Sequence, residues 1–409
     1  MKIAILKERR AHEARVAASA ETVKKFVDLG VDVTVEKGAG QGSSIPDAEF
    51  KAAGASIAAS AGAALNGADL VLKVQRPMIA GEKQDELAAF ESGQTLVCQM
   101  NALSDADFVA AMAGAGVTGF AMELMPRISR AQSMDVLSSQ SNLSGYKAVL
   151  DAASEFGRAF PMMMTAAGTV PPARVLIMGA GVAGLQAIAT ARRLGAVVSA
   201  TDVRPATKEQ VESLGAAFVA VQDEEFKQAQ TAGGYAKEMS STYKEKQAAL
   251  IAETLAKQDI VICTALIPGR PAPELISAEM VASMKQGSII VDLAVESGGN
   301  CALSQIDKVV QKNGVKIVGH ANTPSRIATD TSRLFAKNLL NFLTPLIDKE
   351  SGGFNIDMED ETVVGTLVTR DGEIVHPLLK DQSKPAAEAP TAEEAPDESE
   401  ADEVAASAD

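Results

Sequence analysis

Tryptophan is absent, and tyrosine, histidine and cysteine each occur only three times in 409 residues. Aromatic side chains make up 4% of the chain and the net charge is −15, so neither basic patches nor interleaved rings point to nucleic acid. Cys98, Cys263 and Cys301 lie far apart and share no C-x-x-C spacing. A disulfide framework and a metal site are therefore both unexpected, and reduced thiols fit a cytoplasmic setting. No stretch approaches the roughly 18 uninterrupted apolar residues of a membrane span. The opening run Met1-Lys2-Ile3-Ala4-Ile5-Leu6-Lys7-Glu8-Arg9-Arg10 is charged too early for a signal peptide and reads as a first strand.

What is present is a 46% apolar, glycine-rich chain long enough for two or three domains with sizeable cores. Its charge is unevenly placed. From Pro385 to Asp409 there are nine acids and no Lys or Arg, which leaves −6 of the −15 for everything before. That Ala/Pro/Glu-rich tail has nothing to bury, so a disordered, self-repelling extension is expected there.

The most informative segment is Arg174-Val175-Leu176-Ile177-Met178, followed by Gly179-Ala180-Gly181-Val182-Ala183-Gly184 and an amphipathic stretch. Strand, G-x-G-x-x-G and helix, with Asp202 ending the next strand in Ser199-Ala200-Thr201-Asp202-Val203, form the dinucleotide-binding fingerprint. Gly179 permits the tight turn, Gly181 leaves room for a pyrophosphate, and Gly184 lets helix and strand pack closely. The helix N-terminus offers free N–H groups to phosphate. A carboxylate at Asp202 suits ribose hydroxyls and favours NAD(H), whereas Arg204 is of the type that can instead cradle a 2′-phosphate.

Apolar runs alternate with helical ones throughout, which implies parallel sheets with helices on both faces. In a first block, Lys2–Leu6, Val31–Val35, Leu70–Val74, Thr95–Cys98 and Val117–Phe120 read as strands, and Ala20–Leu29, Phe50–Ala59 and Asp105–Ala113 as helices. In a second, Arg174–Met178, Val197–Thr201, Phe218–Val221, Ile260–Thr264, Ser288–Val291 and Val315–Val318 read as strands. Between and after the blocks, Ser139–Phe156 and Ser332–Leu346 read as long helices that cross from one block to the other. The expected division is 1–138 with 323–381 as a discontinuous first domain, 139–322 as the nucleotide-binding domain, and 382–409 as the tail.

Several loops are candidates for ligand contact. The polar run from Glu123 to Tyr146 follows a strand, and Arg127, Gln132, Asp135 and Ser138 within it suit either a hydrogen-bonding array or a solvated loop capped by Ser138 or Ser139. Gly233-Gly234-Tyr235 suits either a hinged lid or an exposed loop. Thr264–Gly269 and Asp292–Asn300 follow strands where the nicotinamide half of a dinucleotide lies. A dehydrogenase acting on an alcohol or amine needs a base, and His12, His320 and His376 are the only histidines. Transfer between two nicotinamides moves a hydride alone and requires position instead.

Met122–Asp135, Met162–Pro172, the fingerprint, Thr201-Asp202-Val203-Arg204 and Gly233-Gly234-Tyr235 occur together. They closely resemble the soluble NAD(H)-binding subunits (alpha-1, domain I) of proton-translocating NAD(P) transhydrogenases, from about Met1 to Leu379. The resemblance implies two Rossmann-like domains, doubly wound about parallel sheets and joined by long helices, the first interrupted by the second, in a homodimer. It implies direct hydride transfer from NADH to NADP⁺ held on a partner subunit, coupled to proton translocation by a membrane-spanning subunit. The chain itself would then sit peripherally on the cytoplasmic face of the membrane. Carried over by position, Arg127, Gln132, Asp135 and Ser138, with Ile128, Ser129 and Leu137 beside them, are expected at the nicotinamide and its ribose. Gly179, Gly181, Val182, Gly184, Asp202, Val203 and Arg204 would hold pyrophosphate and adenosine, Gly234 and Tyr235 would form the lid, and Ala265 and Leu266 would lie under the dinucleotide. Arg15-Val16-Ala17 and Val71-Leu72-Lys73-Val74 also resemble alanine dehydrogenases, in which the Arg and Lys hold the substrate carboxylate and a His assists. Here Gln94–Ala102 contains no His, and the acid position matches Glu296. The alternatives carried forward are an amino-acid dehydrogenase and a non-catalytic NAD(H) sensor.

Overall fold

The computed structural model describes residues 1–227, 239–267, 269–348 and 352–380, so Gly234, Tyr235 and the acidic tail lie outside the described residues. Strands β1 (Lys2–Ile5), β2 (Asp32–Glu36), β3 (Ser56–Ala58), β4 (Leu70–Gln75), β5 (Thr95–Gln99) and β6 (Thr118–Ala121) come first. A separate hairpin follows, β7 (Met163–Thr165) and β8 (Gly168–Val170). Then come β9 (Arg174–Met178), β10 (Val197–Thr201), β11 (Ala217–Phe218), β12 (Ile260–Cys263), β13 (Ile289–Asp292), β14 (Lys308–Lys312) and β15 (Val315–Gly319), with β16 (Leu367–Arg370) and β17 (Glu373–Ile374) last.

One sheet runs β17-β16-β6-β5-β4-β1-β2-β3 and the other β11-β10-β9-β12-β13-β15-β14. The central strands pair in parallel and their side chains feed two cores each. Ile3 and Ile5 join Leu70, Leu72 and Val74 on one face of the first sheet, while Ala4, Leu6 and Val71 pack on the other. In the second sheet Val175 and Ile177 face one core, and Leu176 and Met178 the opposite one. Apolar residues at every position of a strand require cover on both faces, which helices supply. Each fully buried Val, Ile or Leu contributes about 1.5–3 kcal/mol, so these central strands carry most of each unit's stability. The result is two Rossmann-like, doubly wound α/β units.

Strand order reverses between β1 and β4 in the first sheet and between β9 and β12 in the second. Such reversals leave a crevice outside the carboxyl ends of the strands. Gly179 follows β9 and Thr264 follows β12, so the fingerprint turn and the Thr264–Leu266 segment flank the second crevice.

The helix Val136–Glu155 runs between the units and crosses the fingerprint helix Val182–Arg193. The crossing is close at Gly145, where a Cβ would lie 2.0 Å from the carbonyl oxygen of Ala183. After the second sheet, the helix Ala328–Leu343 packs on Val136–Glu155, and β16 then pairs antiparallel with β6, Leu367 opposite Phe120.

Some elements differ from expectation. The stretch read as a helix over 50–59 is a helix only at Asp47–Ala52. Gly54, at φ +101°, ends it, and Ser56–Ala58 becomes an edge strand paired with β2. Both sheets are mixed rather than purely parallel, because β16 and β14 join their neighbours antiparallel. The strand expected at Phe218–Val221 is the two-residue β11. The long helices start earlier than expected, at Val136 and Ala328, and Pro345 in a 3₁₀ turn ends the second at Leu343.

Candidate functional site

The fingerprint glycines divide into two kinds. Gly179 adopts φ +103° and a Cβ there would lie 2.7 Å from Thr264 Oγ1; a Cβ on Gly184 would sit 1.8 Å from the Gly179 carbonyl oxygen. Both are demanded by the chain's own packing. Gly181 is different. Its φ of −77° suits any residue, and a Cβ would meet nothing within 4 Å. Folding does not require glycine at that point, so the free space over it is available to something other than protein.

Gly181 is also the N-cap of Val182–Arg193, and no side chain caps that helix. Ser19, Asp105, Asp135 and Ser240 each cap a helix elsewhere with a side-chain oxygen. The first-turn N–H groups of the fingerprint helix thus face the crevice with the positive end of the helix dipole behind them, an arrangement that favours an anion. Val182, Val203 and Leu266 are exposed apolar side chains on the elements around this crevice.

Asp202 stands at the end of β10 with its carboxylate almost wholly covered. One oxygen accepts the Ala180 N–H at 2.7 Å, tying the carboxylate to the glycine turn. Arg204 covers both oxygens, donating from Nε and Nη2 at 2.9 Å each, and its own N–H donates at 2.9 Å. The guanidinium expected as a possible 2′-phosphate cradle is therefore paired internally. Asp202, expected to be open to ribose hydroxyls, is reached only by sharing it with Arg204.

On the other side of the crevice, Thr264 Oγ1 donates to the Gly179 carbonyl at 2.9 Å and binds β12's end to the glycine turn. Ala265 exchanges two hydrogen bonds with the Asn300 side chain, at 3.1 and 2.9 Å. Neither Thr264 nor Asn300 carries a sequence signal strong enough to assign that work, although both fall in strand-end loops flagged by position.

The Arg127–Ser138 segment is a 3₁₀ turn, Ser129–Met134, leading into the long helix. Asp135 is the N-cap, accepting from the Ser138 N–H at 2.9 Å and from the Ser138 hydroxyl, so the cap is Asp135 and not Ser138 or Ser139. Arg127, Ser129, Gln132 and Leu137 are exposed, and Ile128 is half-buried. Arg127 and Gln132 make no side-chain hydrogen bond to another described residue, which leaves both polar groups available. Among the described residues, no hydrogen bond joins this segment to the fingerprint; the helix Val136–Glu155 is what connects them.

Arg15 and Lys73 are buried and fully engaged. Arg15 donates to Glu13 at 2.8 and 2.7 Å, to Gln140 at 2.7 Å and to Asn322 at 3.3 Å. Burial alone would raise the Glu13 carboxyl, but Arg15 outweighs it and holds Glu13 at about 2. Lys73 lies 3.3 Å from both Glu8 and Glu86. Desolvation pushes Glu8 above the usual carboxylate range in spite of Lys73. Glu296 accepts the Asn322 N–H at 2.9 Å and so steadies a left-handed residue where the chain leaves the second sheet.

A crevice at a sheet's reversal point, a glycine turn with unfilled space, an uncapped helix and a strand-end carboxylate together define a Rossmann-type nicotinamide-nucleotide-binding protein. The family description "Alanine dehydrogenase/PNT, N-terminal domain" matches residues 4–144, and "Alanine dehydrogenase/PNT, C-terminal domain" matches 148–377. The chain belongs to this alanine dehydrogenase/PNT family of oxidoreductases. It is 64% identical over 382 residues to an NAD(P) transhydrogenase alpha subunit of Rhodospirillum rubrum, covering 93% of this chain and all of that one. A crystal structure of transhydrogenase from Sinorhizobium meliloti matches 92% of this chain and all of its own, with a TM-score of 0.83 and 55% identity. The alanine dehydrogenase of Halomonas elongata is more distant, 29% identical over 383 residues, covering 92% of this chain and 95% of that one. No described helix is long and apolar enough to cross a membrane.

Proposed function

We propose that this chain is the NAD(H)-binding subunit of a proton-translocating transhydrogenase. When bound, NAD(H) supplies a hydride that passes directly to NADP⁺ held on a partner subunit, and a membrane-spanning subunit couples that transfer to proton movement. The remaining roles belong to the chain. The N–H groups after Gly181 hold the pyrophosphate, and Asp202, with Val203 and Arg204 beside it, receives the adenosine ribose and disfavours a 2′-phosphate. Ala265 and Leu266 support the dinucleotide from β12's end. Arg127, Gln132, Asp135 and Ser138 fix the nicotinamide and its ribose, with Ile128, Ser129 and Leu137 alongside; Gly234 and Tyr235 close over the site. No residue is asked to take a proton, because a hydride exchanged between two nicotinamides releases none.

One observation carries the nucleotide site: Gly181 is glycine without any need of its own fold, which makes sense if a phosphate occupies the space above it. The end-to-end similarity to transhydrogenase alpha subunits supports the choice of reaction. The amino-acid dehydrogenase reading is less favoured, since Glu13, Glu8 and Glu86 neutralise Arg15 and Lys73 and leave no spare cation for a substrate carboxylate.

We further propose that the chain acts as a homodimer, peripheral on the cytoplasmic face through its partner subunits. The hairpin β7–β8 supports the dimer. A two-stranded ribbon is marginal alone in water, yet this one is exposed, with Met164 at 80%. Residues 1–138 with 323–381 and residues 139–322 are the proposed domains. Stopped-flow mixing of the NADH-loaded chain with an NADP⁺-loaded partner subunit tests the reading. Transfer of reducing equivalents to NADP⁺ is expected; NADH binding with no transfer would leave a sensor, and turnover of alanine or pyruvate would favour the dehydrogenase.

A further inference from the structure

The parallel ladder between β12 and β13 ends at Cys263 opposite Asp292. Beyond it, the buried side chain of Asn300 takes over the role of a neighbouring strand. Its Oδ1 accepts the Ala265 N–H at 3.1 Å, and its Nδ2 donates to the Ala265 carbonyl at 2.9 Å and the Pro273 carbonyl at 2.8 Å. Both amide hydrogens are used, so only an amide with this orientation satisfies all three groups.

Asn300 is itself held in place. Asp292 Oδ2 accepts the N–H groups of Asn300 at 2.9 Å and Cys301 at 3.1 Å, and the Ser304 hydroxyl at 2.6 Å; Oδ1 accepts the Ala294 N–H at 3.0 Å. The approach is tight: Gly299 has φ +85°, and a Cβ there would lie 2.9 Å from Asp292 Oδ2. The Asn300 carbonyl accepts from Leu275 and Ile276. Thr264, one residue before Ala265, is bonded to Gly179. Ala265 is thus fixed between the glycine turn on one side and the Asp292–Asn300 pair on the other.

We propose that Asn300, braced by Asp292, is a positioning residue that sets the height of Ala265–Leu266 beneath the dinucleotide and so the placement of the reacting ring. The inference rests on the nucleotide-site reading above. Asn300 acts through Ala265 and touches no reacting atom. The pyrophosphate and adenosine contacts at Gly181 and Asp202 lie elsewhere in the crevice, so affinity and ring placement separate.

The substitution Asn300→Asp tests this because it keeps size and shape while turning an oxygen toward two carbonyl oxygens. Protonating that carboxyl restores one donor, and its buried surroundings raise its pKa. The NADH dissociation constant is expected to stay within about threefold of wild type, while single-turnover transfer to an NADP⁺-loaded partner falls roughly 10²-fold near pH 8. The rate should recover in part near pH 6, relative to wild type at the same pH. A wild-type transfer rate at pH 8, or affinity and rate lost in parallel at every pH, overturns the proposal. A measurement on the unaltered chain stands beside it should the variant not fold: the Ala265 amide should exchange slowly without nucleotide, and rapid exchange also overturns the proposal. Absence of NADH binding by the wild-type chain would instead defeat the nucleotide-site reading, before any variant is compared.

Discussion

Replacing Gly181 and Gly184 separately by alanine should split binding from folding. At Gly181 the backbone already has φ −77° and an added Cβ meets nothing within 4 Å, so no strain is introduced. Alanine restricts the unfolded chain, stabilising by about 0.4–1 kcal/mol, but is a poorer N-cap by a similar amount, so Tm should move by only about 2 °C in either direction. The new methyl occupies the space over the helix N-terminus, forcing a phosphate outward and weakening charge-assisted hydrogen bonds of about 1.5–3 kcal/mol each. Gly181→Ala should therefore weaken NADH by roughly 10²-fold, about 2.7 kcal/mol. At Gly184 the Cβ would lie 1.8 Å from a backbone oxygen, and helix or strand must shift. Gly184→Ala should cost about 2 kcal/mol or more, lowering Tm by roughly 4–8 °C. Calorimetric titration with NADH and thermal melts of the nucleotide-free proteins measure both quantities. If Gly181→Ala binds NADH like wild type, the space over that residue is not where phosphate sits, and the reasoning fails.

Gln132→Asn shortens an exposed side chain by one methylene, so NADH affinity should hold within a few-fold while hydride transfer slows by roughly 10²-fold, read by stopped flow; an unaltered rate would reduce the 127–138 segment to a helix lead-in. Glu13 is held at about 2 against an ordinary 4.5, so its contribution to stability is complete above pH 4.5 and disappears as pH falls toward 2. That shift is worth about 3 kcal/mol, and the gap in urea midpoint between wild type and Glu13→Gln should close over this window; a gap constant from neutral pH to about pH 3 would refute it. Met164→Glu on the hairpin should leave the melting of the isolated subunit nearly unchanged, since the side chain packs on nothing of its own, and convert a sedimenting dimer to monomer; a persistent dimer counts against the hairpin as interface.

Strong, repeated patterns were legible in the sequence. The central strands β1, β4, β9 and β12 are continuous apolar runs, and the fingerprint joins three signals in one segment, so sheets, reversal point and candidate crevice follow from pattern alone. The short elements did not follow. β3 is three residues long after a helix of six, and Ala-rich sequence there fits either period. The β7–β8 hairpin has no buried face, hence no alternation to read. Side-chain work over long separations was also hidden: Asn300 acts 35 residues away on Ala265, and Arg204 screens the carboxylate two residues before it, which composition shows only as two opposite charges near each other.

The return of the chain to its first sheet sets an order on its folding. Strand β6 receives its outer neighbour only when residues near Leu367 emerge to pair with Phe120. At synthesis rates of about 5–20 residues per second, that edge stays open for roughly 12–50 s after β6 leaves the ribosome. The strands of the second sheet all lie within that interval. The nucleotide-binding unit can therefore reach its native state first and tether the two ends of the interrupted unit. Until β16 arrives, Thr118–Ala121 is an unpaired hydrophobic edge, and that transient strand is where a nascent chain is most open to pairing with another copy of itself.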